Sequence, residues 1–211
     1  MAAHLLNRAG FGGPPAEIDR LHAGGLDLAV QTLVVEAANP GPVEAPAWAQ
    51  PDPDRVRRME EYRKADPETR RTLQREEQRL QRSRMEELRH GWLQRMASGA
   101  NPLGEKLTLF WHGHFATSAQ KVKDPYLMWR QIDLFRRLGC SHWPTLLLEA
   151  SKDPAMLLWL DQAQSKREHP NENFARELME LFALGEGNYT EQDIAEAARA
   201  LTGWTLDRGR Q

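Results

Sequence analysis

The chain crowds ionisable and polar side chains into a short helical pattern between His169 and Phe182. Its apolar side chains recur at helical spacing, while Asn173, Glu177 and Glu180 follow a second stripe at i, i+4 and i+7. Carboxylates near a histidine are groups that enzymes use as general acids, general bases or metal ligands. The candidate catalytic residues of this motif are Glu172, Arg176, Glu177 and Glu180.

The same motif also has a purely structural interpretation. Glu172 and Arg176 are spaced for an ion pair within one helix, and Asn171 or Asn173 is suited to cap its first turn. Under the catalytic interpretation, Arg176 instead orients a carboxylate or another anionic group of a substrate. The sequence leaves both interpretations open.

A second set of residues is suited to bind a divalent metal ion. His112 and His114 flank a glycine, and residues two apart on a helix point about 200° away from each other. Both imidazoles therefore reach one ion only if the helix ends between them. Asp161 and His169 complete the predicted set of ligands. The structural alternative is that His112 bonds a neighbouring carboxylate and His114 packs near the helix end. Asp161 is then solvated, or pairs with Arg176 or a histidine.

Composition argues against several other classes of function. The 211 residues carry a formal net charge of -2, which gives no overall attraction to nucleic acid or to a membrane. The single cysteine, Cys140, excludes an intrachain disulfide and a thiolate-rich zinc cluster. No apolar run is long enough for a transmembrane helix, and the first residues lack the pattern of a signal peptide. We expect a cytoplasmic location by default, or export if the N-terminus is truncated.

The local patterns predict an all-α fold, an irregular multi-helix bundle with a long, protruding Arg/Glu-rich helix or helical hairpin. No alternating apolar and polar run of strand length occurs. Asn101, Asp124 and Asp153 each precede a proline, and this pairing of an N-cap residue with proline predicts a helix start. Thr190 and Asp193 predict a capping box at the last helix.

Composition divides this single expected domain into four segments. Residues 1–38 predict short helices, and the proline-rich residues 39–53 predict a linker. Residues 54–98 predict a long charged helix that is broken near Pro67. Residues 99–211 then form a helical core that carries the polar motifs.

The charged segment is the predicted docking surface for a protein partner. From Asp54 to Arg95 there are 13 Lys or Arg against 9 Asp or Glu, a local charge of +4, so the remainder of the chain carries -6. Acidic residues are interleaved with the basic ones, and no cluster of aromatic side chains that could stack on bases precedes Trp92. This pattern favours a helix face exposed to solvent over a surface that binds nucleic acid. We expect a protein partner, rather than nucleic acid, to use residues 54–97.

Four motifs resemble a bacterial family known as domain of unknown function 1800 (DUF1800). They occupy residues 4–12, 109–115, 153–156 and 169–204. The resemblance implies a bacterial protein without an assigned activity, often exported and often encoded beside a sulfatase-like protein, which is therefore a candidate partner. It also implies that these residues form the N-terminal part of a chain about twice as long.

Two functions remain as expectations. The first is a metal-assisted hydrolase or oxidoreductase. In it, six side chains converge on one pocket: His112, His114, Asp161, His169, Glu172 and Glu177. The second is a non-catalytic scaffold, in which the polar residues fix helix packing and the charged helix docks a partner. A catalytic site requires open space around its ligands, whereas a scaffold requires polar groups that are satisfied by neighbours without a cavity.

Overall fold

A computed structural model describes residues 1–50 and 54–206, and these ranges form twelve α-helices. The predicted all-α fold is confirmed. The helices are α1 (Ala2–Ala9), α2 (Pro15–Gly24), α3 (Leu26–Ala38), α4 (Arg55–Lys64), α5 (Pro67–Ser98), α6 (Pro102–His114), α7 (Ala119–Val122), α8 (Pro125–Leu138), α9 (Trp143–Ser151), α10 (Pro154–Trp159), α11 (Glu172–Glu177) and α12 (Glu191–Ala200). A π-helical turn, Leu178–Ala183, extends α11. Residues 51–53 of the predicted linker and the last five residues, 207–211, lie outside the described ranges.

The helices of the core begin at the side-chain caps that the sequence predicts. Asn101, Asp124 and Asp153 each accept hydrogen bonds from backbone N–H groups of the following turn, and a proline occupies the first position of each helix. The hydroxyl of Thr190 and the carboxylate of Asp193 form a reciprocal capping box at α12. These caps satisfy N–H groups that a helix start leaves without an intrahelical partner.

The main core lies where α8 meets α6, α9 and α10. Its largest buried rings, Phe115 and Phe135, stack with centroids 5.3 Å apart. Phe174, at the start of α11, joins the same apolar cluster and so fixes the glutamate motif against the body. A second cluster forms where Leu88, in the last turns of α5, packs beside Met128 of α8.

A helical arm projects from this body. Every side chain of residues 67–80 is exposed, as are the described side chains of α4, and Leu88 is the single buried residue of α5. The guanidinium of Arg70 donates to the backbone carbonyls of Tyr62 and Arg63 at 3.2 and 2.6 Å, which ties the end of α4 to the start of α5. We call α4 and residues 67–80 the arm. In the part of the chain described, no helix has the length and apolar character needed to cross a bilayer.

Candidate functional site

The carboxylate of Glu105, on α6, is the most buried charged group among the described residues, with 1% of its surface exposed. It accepts hydrogen bonds from Trp92 Nε1 at 2.9 Å and from Arg95 Nε at 2.5 Å, both on α5. It also accepts from Arg136 of α8, through Nε at 2.6 Å and Nη2 at 3.2 Å. Burial would raise the pKa of Glu105, but the guanidinium groups of Arg136 and Arg95 hold that pKa below its usual value. We call these four residues the Glu105 cluster.

The Glu105 cluster joins three helices and leaves its carboxylate little capacity for a substrate. Both carboxylate oxygens already accept two hydrogen bonds each. Glu105, Thr108 and His112 fall on one helical stripe at i, i+3 and i+7, and this spacing does not indicate the partners of Glu105. Arg95 and Arg136 lie 10 and 31 residues away along the chain, and no local spacing connects them to Glu105.

The two histidines of the predicted metal site lie in different surroundings. Helix α6 continues through His114, so the condition under which both imidazoles reach one ion is not met. His112 packs edge-on against Trp92, with ring centroids 5.5 Å apart. His114 lies among five aromatic rings, which belong to Phe110, Trp111, Phe115, Trp143 and Phe182.

Each of these histidines nevertheless keeps one buried nitrogen without a hydrogen-bond partner among the described residues. These atoms are Nδ1 of His112 and Nε2 of His114. Burial also lowers the pKa of His112, because the surrounding apolar groups disfavour the charged imidazolium. A neutral imidazole is the form that binds a metal ion.

The remaining predicted ligands are exposed. Asp161 pairs with Lys121 Nζ at 2.7 Å, and not with Arg176 or a histidine, because α7 lies beside α10 and brings the lysine to the end of that helix. The side chain of His169 is exposed, and its backbone forms an isolated bridge with Lys166.

In the glutamate motif, Arg176 does not pair with Glu172. It forms a bidentate ion pair with Glu191 of α12 instead, at 2.9 and 2.6 Å, because α11 and α12 pack together. This pair links two helices where the sequence suggested a pair within one. Asn171 caps α11 through the N–H of Phe174 at 3.2 Å, as the structural interpretation of the motif predicted.

The three glutamates of the motif differ in their partners. Glu180 accepts a hydrogen bond from the hydroxyl of Tyr189 at 2.5 Å, and this bond raises the pKa of Tyr189 to about 12. The side chains of Glu172 and Glu177 form no hydrogen bond or ion pair with another described residue. These two carboxylates therefore remain available to an external group.

The predicted candidates do not gather around one space in the described structure. Within residues 1–50 and 54–206, no three His, Cys, Asp or Glu side chains are placed to hold one metal ion. A surface cavity of about 460 Å³ lies between the N-terminal helices and the start of α6. Its polar lining includes Glu17, Arg20, Glu36 and Asn101, and none of the eight candidates.

A different set of side chains does share one surface. Five arginines of α5 fall within about 80° of one another when projected down the helix axis, at 100° per residue. We call them the arginine stripe: Arg71, Arg75, Arg79, Arg82 and Arg89. All five are exposed, and their side chains form no ion pair or hydrogen bond with another described residue. The stripe is about 27 Å long, at 1.5 Å per residue.

The arginine stripe is a concentrated positive surface on a molecule of net negative charge. Glu68 and Glu86 share the same sector of the helix, which leaves a charge of +3 along it. Arg71 and Arg75, like Arg75 and Arg79, are four residues apart, a spacing at which like charges destabilise a helix. The net charge of residues 54–95 does not indicate this one-sided distribution, which follows from the helical spacing of the arginines in α5.

Comparison with known proteins gives one match. The model of a protein family described as "Protein of unknown function (DUF1800)" matches residues 4–211, which is essentially the whole chain. No curated protein and no solved structure matches it. The family thus confirms the resemblance of the sequence motifs and carries no assigned activity.

Proposed function

Since the chain belongs to the DUF1800 family of unknown function, we propose a role from its own geometry: it is a non-catalytic helical interaction module. The arginine stripe binds an acidic surface of a partner protein. A sulfatase-like protein encoded nearby is one candidate partner. The observation that carries this proposal is the presence of five exposed arginines on one face of α5, three of them on the arm, that form no ion pair or hydrogen bond with another described residue.

The body supports the arm as a rigid platform. Glu105, Arg95 and Arg136 connect the last turns of α5 to α6 and α8 through charged hydrogen bonds. Such bonds are stronger than those between neutral groups, so the base of the arm keeps one orientation. The helix that carries the stripe is therefore already ordered, and binding of a partner costs little free energy for ordering it.

Differential co-purification from the native cell tests this proposal. The tagged chain is compared with a variant in which Arg71, Arg75 and Arg82 are replaced by Gln. A control variant makes the same change at Arg8, Lys166 and Arg167, which are exposed residues outside the stripe. We expect at least one protein to be enriched with the wild type and the control and lost from the stripe variant. Equal recovery of every protein with all three chains would contradict the proposal.

A second candidate function is the metal-assisted hydrolase or oxidoreductase. One observation favours it: the buried Nδ1 of His112 and Nε2 of His114 have no hydrogen-bond partner in the part of the chain that the structure describes, and an unpaired buried polar atom is costly. In this candidate α6 ends between the two histidines when a divalent metal ion binds, and His112, His114, Asp161 and His169 then provide its ligands. Glu172, Glu177 and Glu180 supply acid–base chemistry, and Arg176 orients an anionic substrate.

Elemental analysis separates the two candidates. The chain is purified without chelator and compared with a His112→Ala, His114→Ala double variant. Stoichiometric metal that is lost in the double variant would favour the enzyme. Equal metal content in both proteins, with the variant only less stable, would favour the interaction module.

A further inference from the structure

We propose, on the basis of the proposed function, that the arginine stripe binds the acidic C-terminal region of a second copy of this chain. The chain carries both halves of a complementary pair of surfaces. Residues 168–196 contain eight Asp or Glu and one Arg, a local charge of -7. The segment of opposite sign, residues 54–95, carries +4. No other stretch of this length in the chain, apart from those that overlap it, has so negative a net charge.

Part of the acidic region is free to bind, and part is already occupied. Glu191 is paired with Arg176, and Glu196 with Arg199. In contrast, the carboxylates of Glu172, Glu177 and Glu186 form no ion pair or hydrogen bond with another described side chain. Unpaired carboxylates in the acidic region and unpaired guanidinium groups along the stripe are the elements of charge-assisted hydrogen bonds between two copies.

The acidic region also offers an apolar contact to the arginine stems. Leu181 and Leu184 follow Glu177 at i+4 and i+7, and they are 57% and 48% exposed. Arginine places its charged head on a carboxylate while its aliphatic stem covers neighbouring apolar surface. Binding of the stripe would therefore remove exposed leucine surface from water as well as pair charges.

The helical part of the acidic region and the first part of the stripe have the same number of residues. There are twelve from Glu172 through the π-helical turn to Ala183, as there are from Arg71 to Arg82. Within one copy, no ion pair joins the stripe to the acidic region among the described residues. If the stripe of each copy binds the acidic region of the other, both contacts form at once and the two copies make a closed twofold dimer.

Charge reversal provides a direct test. The first variant changes Arg71, Arg75 and Arg82 to Glu, and the second changes Glu172, Glu177 and Glu186 to Arg. A control changes Asp19, Asp27 and Glu44 to Arg, which gives the same change in net charge at exposed positions outside the acidic region. Mass is measured by sedimentation between about 1 μM and 1 mM protein. Each sample is measured at about 0.1 M and 1 M salt, where the Debye length falls from about 10 Å to 3 Å.

We expect the wild type and the control to dimerise at low salt and to dissociate at high salt. Each reversed variant alone is expected to be monomeric, with a dissociation constant at least about tenfold weaker. A mixture of the two variants restores the dimer, because the reversed arm of one copy meets the reversed acidic region of the other. This restoration also shows that both variants are folded.

Three results would overturn the inference. They are a wild type that stays monomeric at the highest concentration and low salt, an acidic-region variant that still dimerises, and a mixture that does not recover the dimer. Recovery of a different protein in the co-purification, together with a monomeric wild type, would leave the interaction module standing and remove only the second copy as its partner.

Discussion

Glu105 is a buried carboxylate whose ionisation depends on its neighbours. Two arginines and one tryptophan donate to it, and the two arginines outweigh the effect of burial on its pKa. The pKa of this carboxyl in the folded chain is lower than in an unfolded one. Its contribution to stability is therefore present above the unfolded pKa and is lost as the pH falls through the folded value.

Removing this charge should strongly destabilise the fold. We predict that Glu105→Gln lowers the free energy of unfolding by about 3–5 kcal/mol, because Arg136 is left buried without a counter-ion. Glu17→Gln, which breaks an exposed pair with Arg20, is the control and should cost less than about 1 kcal/mol. Urea titration at neutral pH measures both. Equal effects of the two substitutions would show that the Glu105 cluster does not hold the helices together.

Asp153 provides a second test at the residue scale. Its pKa is raised in the folded chain, whereas that of Glu105 is lowered. Burial raises its pKa to about 6, although Gln131 and the backbone N–H groups of α10 donate to it. The carboxyl of Asp153 therefore binds its proton more tightly in the folded chain than in the unfolded chain. Its contribution to stability falls as the pH rises from about 4 to 6 and is constant above pH 6.

Asp153→Asn keeps a helix cap and removes the buried charge. We predict that the variant gains stability relative to the wild type between pH 4 and pH 7, by up to roughly 3 kcal/mol. Gln131 Oε1 is buried and accepts no hydrogen bond from a described residue. An asparagine amide at position 153 carries an N–H group that can donate to this oxygen, which the carboxylate of Asp153 lacks. Thermal unfolding of both proteins across this pH range measures the difference. A difference that does not change with pH would contradict the assigned pKa.

At the scale of elements, the two ends of α5 have different roles. Residues 67–80 are exposed throughout, whereas the last turns dock through Leu88. The local signals of the sequence predict helix starts, the capping box and the break near Pro67, because caps and prolines act within one turn. They do not predict the Arg176–Glu191 or Lys121–Asp161 pairs. Those pairs depend on which helices become neighbours, and that is decided by the packing of the whole chain.

The difference between the two ends of α5 predicts different responses to truncated side chains. Leu88→Ala should cost at least about 2 kcal/mol, since it removes buried methyl groups and leaves a cavity. Leu73→Ala and Leu80→Ala, on the exposed part, should each change stability by less than about 0.5 kcal/mol. Denaturant titration of the three variants gives these values. A cost at Leu73 or Leu80 similar to that at Leu88 would mean that the arm packs against the body.

At the scale of the whole molecule, charge is separated between the arm and the C-terminal helices. The chain is close to neutral overall, yet residues 54–95 carry +4 and residues 168–196 carry -7. Composition alone excludes a general attraction to polyanions, and only the placement of the arginines on one face of α5 indicates a binding surface. The catalytic candidates Glu172, which is exposed, and Glu177, which is half-buried, are then also acids of this region that pair with no other described residue.

Site-specific photo-crosslinking in the native cell tests the central claim most directly. A photoreactive residue at Gln78 lies beside the arginine stripe, and one at Leu73 lies on the opposite face of the same exposed helix. An interaction module that binds through the stripe predicts a defined protein crosslink from position 78, lost when Arg71, Arg75 and Arg82 are changed to Gln, and little from position 73. Equal crosslinking from both faces, or none from position 78, would contradict it.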